Sequence, residues 1–87
     1  MFYDWNEVKN QSLLAERGVC FEDVVYAISC GKILDVVPHH KPDKYSNQKI
    51  FVLSMKEYVY YVPFVEDEEK VFLKTIIPSR KLAKEHL

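Results

Sequence analysis

Glycine is nearly missing from this sequence: only Gly18 and Gly31 occur in 87 residues. So little glycine leaves no glycine-rich loop of the kind that cradles phosphates. Cysteine is as scarce. Cys20 and Cys30 are too few for a small secreted disulfide scaffold and lack the CxxC spacing of a zinc site, so both are expected to be buried thiols. Long apolar runs are absent too. The longest, Tyr58 to Val65, falls well short of the roughly 20 residues that span a bilayer. The start, Met1-Phe2-Tyr3-Asp4-Trp5-Asn6, has no basic segment followed by an apolar one. No signal peptide and no membrane partner are therefore expected, and a cytoplasmic location is. Charge of one sign is missing as well: the net charge of −1 excludes a polycation that attracts nucleic acid by bulk charge.

What remains is an ordinary globular composition, 48% apolar and 29% charged, with six Tyr, five Phe and one Trp. Without linker, repeat or low-complexity segment, the chain reads as one domain over residues 1–87. A domain this small buries roughly 60–65% of its unfolded surface, so each large aromatic matters to the core. The charges are unevenly spread. Acidic residues concentrate in residues 1–23 and in Glu66-Asp67-Glu68-Glu69, while Lys41, Lys44, Lys49 and Lys56 lie mid-chain and Lys70, Lys74, Arg80, Lys81 and Lys84 near the end. A basic face is compatible with that distribution, and so is a plainly solvated surface.

Asp4-Trp5-Asn6-Glu7 reads as a capping box opening a helix that runs to about Arg17, with Trp5, Val8, Leu13 and Leu14 on its apolar side. Gly18 stops it. A second helix is expected from Phe21 to about Cys30, favoured by Glu22 and Asp23 at its start, striped by Phe21, Val24, Val25 and Ile28, and closed by Gly31. The period then changes. Residues 33–37, 49–54, 58–65 and 71–77 are rich in β-branched and aromatic residues, and the short connections between the last three make them antiparallel neighbours. Pro63 cannot donate to a ladder and marks a bulge or an edge. Phe2-Tyr3 reads as a further short strand, and Pro78-Ser79 opens a terminal helix. The expected fold is α+β: two N-terminal helices, a four-stranded antiparallel meander sheet and a short C-terminal helix, with helices covering one side of the sheet.

His39 and His40, in the proline-flanked loop Pro38-His39-His40-Lys41-Pro42-Asp43, are candidates for proton transfer because imidazole titrates near neutral pH. Two exposed loop histidines without a role are the competing account, and adjacent residues in an extended segment point to opposite sides. Lys49 and Lys74 are candidates for supplying positive charge from neighbouring strands, against a simple role in solvation. Tyr58, Tyr60 and Tyr61 suit base stacking, or else core on one face and interface on the other. The histidine pair has no His at i,i+4 and no carboxylate cluster beside it, Asp43 alone being insufficient, so no metal and no cofactor are expected.

Asp4-Trp5-Asn6-x-x-Lys9-Asn10, followed by Arg17-Gly18-Val19-Cys20-Phe21-Glu22-Asp23-Val24, resembles the N-terminal signature of the BrnT toxins. Ile76-Ile77-Pro78-Ser79-Arg80-Lys81-Leu82 is similar to that family's segment before the last helix. The resemblance spans nearly the whole chain and implies a RelE-like fold and a ribonuclease toxin that blocks translation. It implies two partners: an RNA substrate, and a co-encoded antitoxin through which alone the pair contacts DNA. It also implies that Arg80, matching the motif arginine, clamps phosphate. The sequence departs from the family pattern at Arg17, where a His is usual, at Thr75, where the last strand usually carries an Arg, and at Pro78 and Lys49. The expected reaction is metal-independent RNA cleavage at a site of Arg80, His40, His39, Lys49 and Lys74. A reading of another class is an interaction module that keeps the fold and binds a partner protein without catalysis.

Overall fold

The computed structural model describes residues 2–39, 41 and 47–86, the last without its side chain. The elements are β1 (Phe2–Asp4), α1 (Glu7–Arg17), α2 (Phe21–Ser29), β2 (Ile33–Pro38), β3 (Gln48–Met55), β4 (Tyr58–Glu66), β5 (Lys70–Leu73), β6 (Ile77–Pro78) and α3 (Arg80–His86). Among the described residues the fold is α+β, with three helices around one mixed sheet.

The expected four-stranded antiparallel meander is corrected. Among the described residues the sheet has six strands in the order β1-β5-β4-β3-β2, with β6 also on β4. Antiparallel ladders join β2 to β3, β3 to β4 and β4 to β5, but β1 pairs with β5 in parallel, Tyr3 opposite Val71. The run expected as one strand over 71–77 is two. Three steps on β4, from Phe64 to Tyr61, face four on the other side, from Leu73 to Ile77. Pro63 lies opposite this break. Its carbonyl accepts from the Lys74 N–H at 2.8 Å, so the hydrogen it lacks belongs to the side where the ladder is interrupted.

The helix boundaries follow their caps. The N-cap of α1 is Asn6, whose side chain accepts from the Lys9 N–H at 3.0 Å, and not Asp4, whose carboxylate accepts from the Trp5 N–H. Gly18 ends α1 at φ 70° and donates to the Leu14 carbonyl. The expected apolar side of α1 is also corrected: Leu13 is buried, but Val8 and Leu14 are exposed. Asn10 is the polar exception, 2% exposed. Its carbonyl oxygen accepts from the Phe21 N–H at 2.7 Å, and its amide donates to Glu22 at 2.7 Å and to Glu7 at 3.3 Å. One side chain of α1 thus satisfies the first orphan donor of α2 and fixes the corner between the helices.

Alternation along the strands divides the core. Phe51, Leu53 and Met55 of β3, Tyr60, Val62 and Phe64 of β4, and Val71 and Leu73 of β5 pack with Leu13, Val19, Phe21, Val24 and Ala27 beneath α1 and α2. Val52 and Val59 point the other way and are buried with Ala83 of α3, flanked by Val37, Tyr61 and Leu82. Helices therefore lie on both sides of the sheet, a correction to the one-sided cover expected. The cysteines are corrected too: Cys20 is half-buried and Cys30 exposed, both as free thiols. Among the described residues no helix is long and apolar enough to cross a membrane.

Candidate functional site

Among the described residues the α3 side of the sheet is only partly covered, and the remainder is a groove. One section, about 420 Å³, is lined by Val37, Pro38, His39, Ile50, Tyr61, Pro63 and Ile77. The next, about 270 Å³, is lined by Leu34, Asp35, Val37, Val52, Tyr61 and Leu82. They share Val37 and Tyr61, so a mostly apolar channel leads from His39 at the end of β2 toward α3. The bulge at Leu34, inserted where Ile33 pairs with Leu53 and Asp35 with Val52, sets the far wall.

Arg80 belongs to the segment that crosses this face. Ile77 and Pro78 pair with Tyr61 and Tyr60 of β4, and the Ser79 N–H donates to the Val59 carbonyl at 2.9 Å. Ser79 is buried and its hydroxyl accepts from the Leu82 N–H at 3.3 Å, capping the helix. Arg80, the first residue of α3, is exposed and stands in sequence between Ile77 and Leu82, both of which line the groove. Its outward position is therefore set by a strand pair before it and a cap beneath it.

His39 is half-buried in the groove wall, and its Nδ1 accepts from the Lys41 N–H at 3.1 Å. An accepting Nδ1 puts the ring proton on Nε2. His40, expected to share the proton transfers, lies outside the described residues. Tyr61 faces the groove while Tyr60 faces the opposite core, where burial pushes its phenol above the usual range.

The structure does not bring Lys49 or Lys74 to this groove. Lys49 shares the face of Phe51 and Leu53, on the other side of the sheet, and its ammonium lies 3.5 Å from Glu66. Lys74 lines a separate concavity with Asn6, Val8, Lys9, Ser12 and Phe72. Lys9 is the residue that sequence reasoning misses. It enters only as a motif position, although its spacing from Asn6 and Ser12 already sets all three on one side of α1. Arg17, at the position of a usual His, donates through Nη1 to the Ile76 carbonyl and ties α1 to the β5–β6 break.

No family model matches this chain, and no curated protein or solved structure matches it.

Proposed function

We propose that this protein is a ribonuclease toxin of a type II toxin–antitoxin pair, a BrnT-like variant of the RelE-like fold, and that its functional surface is the groove between His39 and α3. The observation that carries this reading is an exposed Arg80 at the start of α3, at the motif position of the C-terminal segment and in sequence between the groove residues Ile77 and Leu82, with His39 in the groove wall. The N-terminal motif adds support of another kind. Its residues Asn10 and Glu22 build the α1–α2 corner and Asn6 caps the start of α1, so they maintain the scaffold.

The reaction needs no external nucleophile. An RNA 2′-oxygen attacks the adjacent phosphorus and the bond from phosphorus to the 5′-oxygen breaks, leaving a 2′,3′-cyclic phosphate and a 5′-hydroxyl. One proton leaves the 2′-hydroxyl and one reaches the departing oxygen; one of these transfers is assigned to His39 or to His40, since the two do not face one side together, and the other to water. Arg80 is a two-pronged donor to the non-bridging oxygens, where charge accumulates. Such a protein works in the cytoplasm, held inactive by an antitoxin that covers the groove and carries the DNA contacts. Expression of the wild type is expected to arrest growth and to cleave RNA in the presence of EDTA, while DNA, lacking the 2′-hydroxyl, stays intact. Arg80→Ala is expected to abolish both effects. Toxicity unchanged in that variant removes Arg80 from the site.

One observation favours a second reading, a non-catalytic interaction module. The groove is largely apolar, and the Lys49 and Lys74 expected to line it do not. Folded wild-type protein that is harmless when expressed and binds a co-encoded partner establishes the module and rejects the ribonuclease.

A further inference from the structure

Among the described residues three lysines are neutralised by carboxylates: Lys49 by Glu66, Lys56 by Asp23 and Lys70 by Asp4. Lys9 and Lys74 enter no ion pair among the described residues, and these two share one concavity. It measures about 740 Å³ and is lined by Asn6, Val8, Lys9 and Ser12 of the α1 side and by Phe72 and Lys74 at the end of β5. No carboxylate is in the lining among the described residues. Glu16, a turn further along α1, is turned to the Ser12 hydroxyl, from which it accepts at 3.1 Å. The apolar part is equally definite. Val8 is 82% exposed in the first turn of α1, Phe72 is half-buried, and the Lys74 ammonium stands 5.7 Å from the Phe72 ring centroid. The fold sets this spacing: the Lys74 N–H is held by the Pro63 carbonyl at the ladder break, and Asn6 caps the turn that carries Val8 and Lys9.

Two uncompensated ammonium groups beside an exposed aliphatic and an aromatic side chain match a ligand that repeats negative charge and flat apolar faces at short spacing. We infer that this concavity binds single-stranded nucleic acid, with backbone phosphate between Lys9 and Lys74 and a base packed on Val8 and Phe72. A duplex hides the base faces that Val8 and Phe72 require. The choice of RNA as natural ligand rests on the ribonuclease reading; the binding itself does not. The concavity is a holding site apart from the groove between His39 and α3, and it gives Lys74, one of the two lysines missing from that groove, a role of its own.

The test is fluorescence anisotropy of the full chain with a short dye-labelled single strand of mixed sequence, as DNA and as RNA, over about 50–200 mM salt. Both strands are expected to bind, the DNA without cleavage, so failure to bind and failure to cut are read separately. Lys9→Ala with Lys74→Ala is expected to weaken binding at least tenfold and to flatten the slope of log affinity against log salt by about 1.4, at about 0.7 for each single-strand phosphate that is no longer neutralised. Phe72→Leu is expected to weaken binding about tenfold with the slope unchanged. Lys32→Ala, an exposed lysine elsewhere, is expected to bind as the wild type does, and Arg80→Ala to lose cleavage but keep binding. No salt-dependent binding by the wild type overturns the inference. So does a Lys9/Lys74 double variant that binds normally, or Lys32→Ala weakening as much as the double variant. Displacement by polyglutamate as effective as by unlabelled strand also overturns it, and makes the concavity a dock for an acidic protein segment. The lone tryptophan, Trp5, reports the fold of each variant through its fluorescence.

Discussion

The two faces of the sheet are built from the same strands but covered very differently. Among the described residues, fourteen buried side chains form one cluster on the α1–α2 face, whereas three do on the α3 face. The first is sealed by helices of 11 and 9 residues, the second by one of 7 that leaves a groove beside it. Stability in a small domain scales with the apolar area withdrawn from water, so it resides mainly on the first face, while the second keeps the accessible surface on which a ligand or partner can act.

The sharpest way to break that comparison is to make one chemical change on each face. Leu53→Ala, fully buried under α2, is expected to cost about 3–5 kcal/mol, while Leu82→Ala, half-buried on α3, is expected to cost about 1 kcal/mol. Urea unfolding midpoints measure both, and equal losses remove the asymmetry. Next in size is Asn10→Ala, which strands the Phe21 N–H and takes the amide from Glu22; about 2–3 kcal/mol is expected, by the same measurement. Asn10→Ala no more costly than an exposed substitution means that the corner between α1 and α2 is held by packing alone.

Acid provides a smaller perturbation at the same corner. Hydrogen bonds from Gln11, Trp5 and Asn10 hold the Glu7 carboxyl below the usual glutamate range. A depressed folded-state pKa contributes stability above the ordinary value of 4.5, lost as pH falls through the lower folded value. Trp5 donates to Glu7, so its fluorescence is expected to titrate below pH 4.5, and the step is expected to vanish in Glu7→Gln. The smallest stability effect belongs to Arg80→Ala, within about 0.5 kcal/mol because the side chain is exposed, despite its proposed decisive effect on toxicity. Unfolding of this variant assigns Arg80 a structural role and takes it from the functional surface.

The elements legible in the sequence are those with local causes. Gly18 and Gly31 stop their helices at φ 70° and 73°, and short turns make β3, β4 and β5 neighbours whatever the rest of the chain does. Pro63 announces a fault in the ladder through the donor it lacks, but which strand breaks depends on what lies opposite. β1 can be read as a strand but not placed, because its partner β5 is supplied by the far end of the chain. The candidate site divides in the same way. Arg80 and His39 stand out by type and position; the fold puts His39 in the wall of the α3-side groove and leaves Arg80 exposed at the start of α3. Lys49 stands out on the same grounds and falls on the opposite face, where Glu66 pairs with it. Lys9 carries no such signal alone, because its significance depends on Lys74, which only the fold brings to the same concavity.

By itself, then, the sequence determined the glycine stops of the first two helices, the hairpins and an α+β class, because caps, turns and hydrophobic period act within a few residues of their cause. Tertiary structure alone decided the parallel β1–β5 edge, the side of the sheet taken by α3, the burial of Asn10 and the meeting of Lys9 with Lys74. These are choices among partners distant along the chain, and they are settled by which arrangement buries the most apolar surface while leaving each buried polar group bonded.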